Sequence, residues 1–281
     1  MKTTSVSNRP VVTFFKDLFK RIGDDDVSGL AAQLSYFFLL SLFPFMIFLV
    51  TLVAYLPFSD LDMINFISRY APEEIVTMID ENISQIMDGR NGGLLSIGII
   101  GTLWSASNGI NALMRAFNHA YNIDEKRSFV VARGISILLT IAMVFVIIIA
   151  LLLPVFGRAI GEYLFSFIGL SEDFISVWGT LRWVISSVIF FIVLSALYLL
   201  APSKRVYFKH VYIGAIFATV FWQLTSLAFS FYVSSFSNYS ATYGSLGGVI
   251  ILMLWFYLSA MIIIIGGEIN ALVEKRRRKV T

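Results

Sequence analysis

Five side chains in one stretch have the types and spacing to line a polar passage. Trp104, Asn108, Asn111, Arg115 and Asn118 succeed one another at steps of four, three, four and three. On an α-helix that spacing places them on one face. Amides and a guanidinium are costly against lipid, where no water satisfies them, so the row must face other helices or a wet cavity. Two chemistries fit: hydrogen-bonded glue between helices, or a cavity that binds a passing substrate. Glu268 is the acidic side chain inside the last apolar stretch, and an ionisable group at such depth marks a functional candidate with a partner to be named. Arg115, which ends its own apolar stretch at a similar depth, is the partner offered, as a gate or as a structural latch. Gln223, near the middle of another apolar stretch, with Tyr243 and Asn270, completes the candidate substrate-binding set. Catalytic and metal chemistry find little support. There is no cysteine, the two histidines are His119 and His210, and no phosphate-loop, dinucleotide, zinc or serine-hydrolase motif occurs. No catalytic residue, metal or cofactor is expected.

The elements that must position these groups are legible in composition. Of 281 residues, 58% are hydrophobic and 14% charged, against ~25% charged in soluble domains. Uncharged runs cover 27–59, 91–114, 134–157, 183–203 and 211–267. A helical span needs ~20 apolar residues, so the first four runs hold one span each and the last holds two. The reading is an all-α polytopic membrane protein with six spans near 34–56, 93–115, 134–156, 181–201, 211–233 and 245–267. Pro44 and Pro154 lie inside spans. Gly101, Ser105 and Gly109 form a small-residue face for a close neighbour. Residues 1–26 carry Val12, Phe15, Leu18, Phe19 and Ile22 at helical spacing among basic residues, an amphipathic interfacial helix. Asp24–Asp26 end it and cap the next helix. Residues 58–92 read as a helical extracytoplasmic cap, and 276–281 as a basic tail. Lysines and arginines number 17 on the side of both termini and four on the other, which places both termini in the cytoplasm. The pI near 9.0 is then a topology signal, with no nucleic-acid partner needed.

The motifs resemble those of the YihY/BrkB family of bacterial inner-membrane proteins. Gly29-Leu30-Ala31-Ala32-Gln33-Leu34-Ser35-Tyr36 continues to Ser41-Leu42-Phe43-Pro44, and Leu197-Tyr198 precedes Ala201-Pro202. Asn238-Tyr239-Ser240-Ala241-Thr242-Tyr243-Gly244 is succeeded by Trp255-Phe256-Tyr257 and by Gly266-Gly267-Glu268-Ile269-Asn270-Ala271. The resemblance covers about 25–275 and implies six spans with both termini inside. It carries no catalytic motif. The expected function is a permease of the cytoplasmic membrane, moving a small solute or a lipid-like envelope substrate. Its rivals are a non-transporting envelope organiser and, lower, the ribonuclease of an old family label. Expected partners are membrane lipids, with anionic headgroups at the basic face, and the substrate itself. The sequence leaves homo-oligomerisation open.

Overall fold

The computed structural model describes residues 10–53, 92–145, 172–235 and 246–278. Among them every regular element is a helix: α1 Pro10–Asp24, α2 Val27–Val53, α3 Gly92–Ala120, α4 Phe129–Phe145, α5 Glu172–Leu200, α6 Phe208–Ser235 and α7 Leu246–Arg278. A helix therefore overlaps each of the six apolar stretches. Parts of α2, α3, α6 and α7 are long and apolar enough to cross a membrane, while α4 and the Val184–Leu200 part of α5 are shorter apolar helices. The expected cap lies outside the described residues up to Gly92, as do Pro154 and Tyr243.

Local chemistry sets the helix ends. Asp26 stands in the left-handed region with φ 44°, which aspartate tolerates better than most residues. Its carboxylate accepts the Gly29 N–H at 3.2 Å and so caps α2, as the aspartate run leads one to expect. A Cβ at Gly29 would lie 2.2 Å from that carboxylate, which accounts for the glycine. At the far end of α3, Asn122 takes φ 52°. Its N–H reaches the His119 carbonyl, and the Ile123 N–H reaches that of Asn118, both at 2.9 Å. These are the paired bonds of a Schellman turn, with asparagine in place of the usual glycine.

Helix α7 outruns its expected span and continues through Arg278, so Arg276–Arg278 belong to the helix and not to a separate tail. Glu, Lys and Arg are good helix formers, and cations suit the negative end of a helix dipole. Its 33 residues span ~50 Å at ~1.5 Å each, against a hydrocarbon layer of ~30 Å. The turns from Glu268 onward form its terminal end.

The described chain divides into two compact units, the part up to Phe37 together with that from Ser107, and the part from Phe38 to Ala106. In the smaller unit the glycine face of α3 meets α2. A Cβ at Gly101 would lie 3.0 Å from Pro44, and one at Gly98 would lie 2.8 Å from the Phe48 backbone. In the larger unit α6 packs between α5 and α7, and α1 docks along the terminal end of α7. Leu18, Ile269 and Leu272 are buried there, flanked by Phe14, Ile22 and Ile265. That docking leaves Val12, Phe15 and Phe19 exposed on the other side of α1.

Candidate functional site

The close crossing of α5, α6 and α7 depends on glycine. A Cβ at Gly214 would lie 2.0 Å from the Gly266 carbonyl oxygen, one at Gly266 would lie 2.2 Å from the Tyr198 hydroxyl, and one at Gly267 would lie 2.5 Å from the Phe117 ring. The space is used for hydrogen bonds. Tyr198 Oη donates to the Ile263 carbonyl at 2.8 Å, and the Gly214 N–H donates to Asn270 Oδ1 at 2.7 Å. The Gly266-Gly267-Glu268-Ile269-Asn270 motif is thus a packing surface whose glycines admit neighbours and whose asparagine binds a backbone amide.

Glu268 sits one residue below that crossing, with its side chain 1% exposed. Arg21 Nε donates to its Oε2 at 2.7 Å. The same guanidinium donates through Nη2 to the Ala120 carbonyl, in the last turn of α3, and lies 3.5 Å from Asp25. His119 Nδ1 comes within 3.2 Å of Asp25 Oδ1. One arginine therefore ties α1 to the ends of α3 and α7, adding a cation at a helix C-terminus, where the dipole favours it.

The expected Arg115–Glu268 pair is not formed. Arg115 is exposed on α3, contrary to the inward position expected for it. The reason lies in α1: Leu18 and Ile22 dock on α7, and Arg21, on the flank of that docked face, is carried onto the carboxylate. The rest of the amide row divides. Trp104 is 56% exposed, Asn108 and Asn111 are half-buried, and Asn118 is buried. Asn118 Nδ2 donates to Glu125 Oε2 at 2.9 Å, and its Oδ1 accepts the Ser203 N–H at 2.8 Å, so it fastens two turns at the terminal end. Asn108 Oδ1 accepts from Arg133 Nη1 at 2.7 Å. Gln223 Nε2 donates to Ser187 Oγ at 2.7 Å and Trp222 Nε1 to Ser259 Oγ at 3.1 Å, joining α5, α6 and α7.

Two residues escape sequence reasoning because they look like topology charges. Arg133 counts there with the 115–133 loop, but it lies in the second turn of α4 and is buried. The available signal is its position at the edge of a long uncharged run. Arg127 counts with the same loop. Its guanidinium donates to the carbonyls of Ala201 at 3.1 Å, Leu200 at 3.3 Å and Pro202, which closes the end of α5.

Beside the Arg21 lock lies a second ionic cluster. Glu274, also buried, accepts at Oε1 from Lys204 Nζ at 3.1 Å and forms an ion pair with exposed Arg278, whose Nη2 lies 2.7 Å from the same oxygen. The Lys204 ammonium also sits 4.2 Å above the Tyr121 ring, within cation–π range. Burial pushes the Tyr121 phenol well above its usual range, with Glu274 and Glu268 adding to the effect and Arg21 opposing it, so it stays an O–H group. Arg276 Nη2 and Asp17 Oδ2, 2.8 Å apart, tie α7 to α1 again.

Apolar helices of spanning length, tied by internal hydrogen bonds and finished by a charged terminal end, define a helical membrane protein. The chain belongs to the virulence factor BrkB family, whose model matches residues 18–281. It is 54% identical over 267 residues to the ribonuclease-like protein YfkH of Bacillus subtilis, covering 95% of this chain and 97% of that one. It is 28% identical to a UPF0761 membrane protein of Alteromonas mediterranea, over 90% of this chain and 86% of the relative. A UPF0761 membrane protein of Vibrio parahaemolyticus is 29% identical, over 92% and 82%. No solved structure matches.

Proposed function

We propose that the chain is a six-span permease of the bacterial cytoplasmic membrane, with both termini cytoplasmic, that moves a small solute or a lipid-like substrate along a polar path in its larger unit. The observation that carries this reading is the Asn108–Arg133 pair. Arg133 is 9% exposed on a helix whose preceding residues, Phe129, Val130 and Val131, are apolar and exposed. A guanidinium drawn inward on an otherwise lipid-compatible helix is expensive to keep, and such groups mark substrate pathways. Half-buried Asn111 on the same face of α3, and half-buried Gln223 on α6, are the further polar groups that this reading assigns to the path. The substrate class is bounded only by the hydrogen-bonding and anionic groups that this lining could accept. We assign the chain no enzymatic activity.

The second reading, an envelope organiser that moves nothing, draws support from polar groups that bond helix to helix, as in Gln223–Ser187 and Trp222–Ser259. One experiment separates the two. The chain contains no cysteine, so single Asn108→Cys, Asn111→Cys and Gln223→Cys variants can be exposed to a membrane-impermeant maleimide in sealed vesicles. A permease path leaves at least two of them labelled from water. Absence of labelling at all three, with a cysteine at exposed Lys275 reacting normally as a control, would sink the permease and favour the organiser.

A further inference from the structure

At the terminal end of the larger unit lies a cavity of about 140 Å³. Its wall brings together Arg21 from α1, Lys204 from the α5–α6 turn, and Lys275 and Arg278 from α7, with Tyr121 and Glu274 between them. Four cations thus face one carboxylate in the lining. Even when Glu268 and Asp25 are set against Arg21, positive charge remains in excess. Glu274 does not quench the cluster. It takes a bond from Lys204 and an ion pair from Arg278 through a single oxygen, and an ammonium has three donors and a guanidinium five. Its effect is to hold two flexible cations in place, with most of their donors unspent. The Tyr121 ring fixes Lys204 from a second side.

We propose that this cavity binds a phosphate group. Its volume is below the ~300 Å³ at which pockets begin to hold drug-sized molecules, so it suits a headgroup and not an elaborate ligand. Converging lysine and arginine donors match an acceptor with several charged oxygens. The site does not depend on the permease reading, because the cavity is built from the helix ends and not from the polar lining of the spans. The phosphate could belong to an anionic lipid or to a soluble phosphate compound. The cavity borders the basic last turns of α7, where anionic headgroups collect, and it is equally open to the chemistry of free phosphate.

The test uses the full chain. Thermal stability is measured in detergent with sodium phosphate against sodium chloride at equal ionic strength, and in nanodiscs of phosphatidylglycerol against phosphatidylcholine. A ligand that binds only the folded form raises the melting temperature as its concentration passes Kd. The proposal requires a rise of several degrees in at least one arm. That rise should fall by more than half in Lys275→Gln/Arg278→Gln, and persist in Lys16→Gln/Lys20→Gln, which removes the same charge from the exposed face of α1. A response to phosphate assigns a soluble ligand, and a response to phosphatidylglycerol alone assigns a lipid headgroup. No rise in either arm overturns the site. So does an equal loss in the two double variants, which would reduce the effect to general attraction between a basic end and any anion.

Discussion

Removing either partner of the Arg21–Glu268 pair should destabilise the protein, but by unequal amounts, because the partners are differently placed. Glu268 is 1% exposed and depends on Arg21 for its charge-assisted bond, whereas Arg21 is also held by Asp25 and the Ala120 carbonyl. Arg21→Gln leaves a buried carboxylate without its cation, for which ~3–5 kcal/mol is typical. Loss of the cation at the end of α3 adds ~0.3–1 kcal/mol. Glu268→Gln removes the buried charge itself and keeps an acceptor for Nε, so its cost should not exceed the ~1.5–3 kcal/mol of one hydrogen bond to a charged group. The double variant should be more stable than Arg21→Gln alone, since the buried Glu268 carboxylate is then no longer stranded. Arg115→Gln, at an exposed position, should stay within ~0.5 kcal/mol. Unfolding by SDS in mixed micelles, monitored by the fluorescence of the five tryptophans, measures all four variants. A Glu268→Gln cost equal to or above that of Arg21→Gln, or a substantial cost for Arg115→Gln, would refute the lock as described.

Gly214→Ala should cost ~1–3 kcal/mol or prevent accumulation, because the new Cβ meets backbone that no rotamer change can clear. Gly134→Ala, with nothing within 4 Å, should be neutral or stabilising by up to ~1 kcal/mol, and expression with melting curves compares the two. Tyr198→Phe removes one interhelical bond to Ile263 and keeps the ring, so a loss of ~0.5–1.5 kcal/mol is expected. A reporter fused after Thr281 should behave as cytoplasmic, and an extracytoplasmic signal would reverse the orientation drawn from the basic residues.

Composition and period control the part of this fold that is legible in the sequence. Charge-free runs locate a helix at each of six places, the aspartate run locates the α1–α2 junction, and the glycine face of α3 meets a neighbour at Gly101 as expected. The pairing of Glu268 is not legible because it is tertiary. Arg21 and Glu268 are 247 residues apart, and nothing in either segment states that α1 docks on α7. Arg115 is the plausible choice on depth alone, and depth does not determine which cation rotates toward the carboxylate. Arg133 and Arg127 are hidden by a rule that treats arginines outside spans as topology markers, which says nothing about whether they turn back onto helix ends or other spans. The amide row shares a face, as its spacing requires. Spacing does not reveal what covers that face, and here α4 reaches Asn108 and the 201–204 turn reaches Asn118, with exposed Arg115 between them.

The contacts along α7 are of two kinds. In hydrocarbon, apolar side chains gain nothing by leaving lipid for one another, so helices associate through close packing and hydrogen bonds. Gly214, Gly266 and Gly267 pack in that way, and the helices there approach closely enough for Tyr198 to reach a carbonyl and Asn270 an amide. The charged turns beyond Glu268 add contacts of the kind that water drives, through burial of apolar surface. That is where Leu18, Phe14 and Ile22 dock, and where the ion pairs stand. Glu268 lies between these two sets of contacts, one residue from the last close glycine and bonded to α1. A carboxylate placed there makes the closeness of the spans and the seating of α1 interdependent, since Arg21 reaches it only when α1 is docked and α3 has ended at Ala120. The same geometry gathers Lys204, Lys275 and Arg278 around the neighbouring cavity, so whatever anion sits there acts on α1, the α5–α6 turn and α7 together.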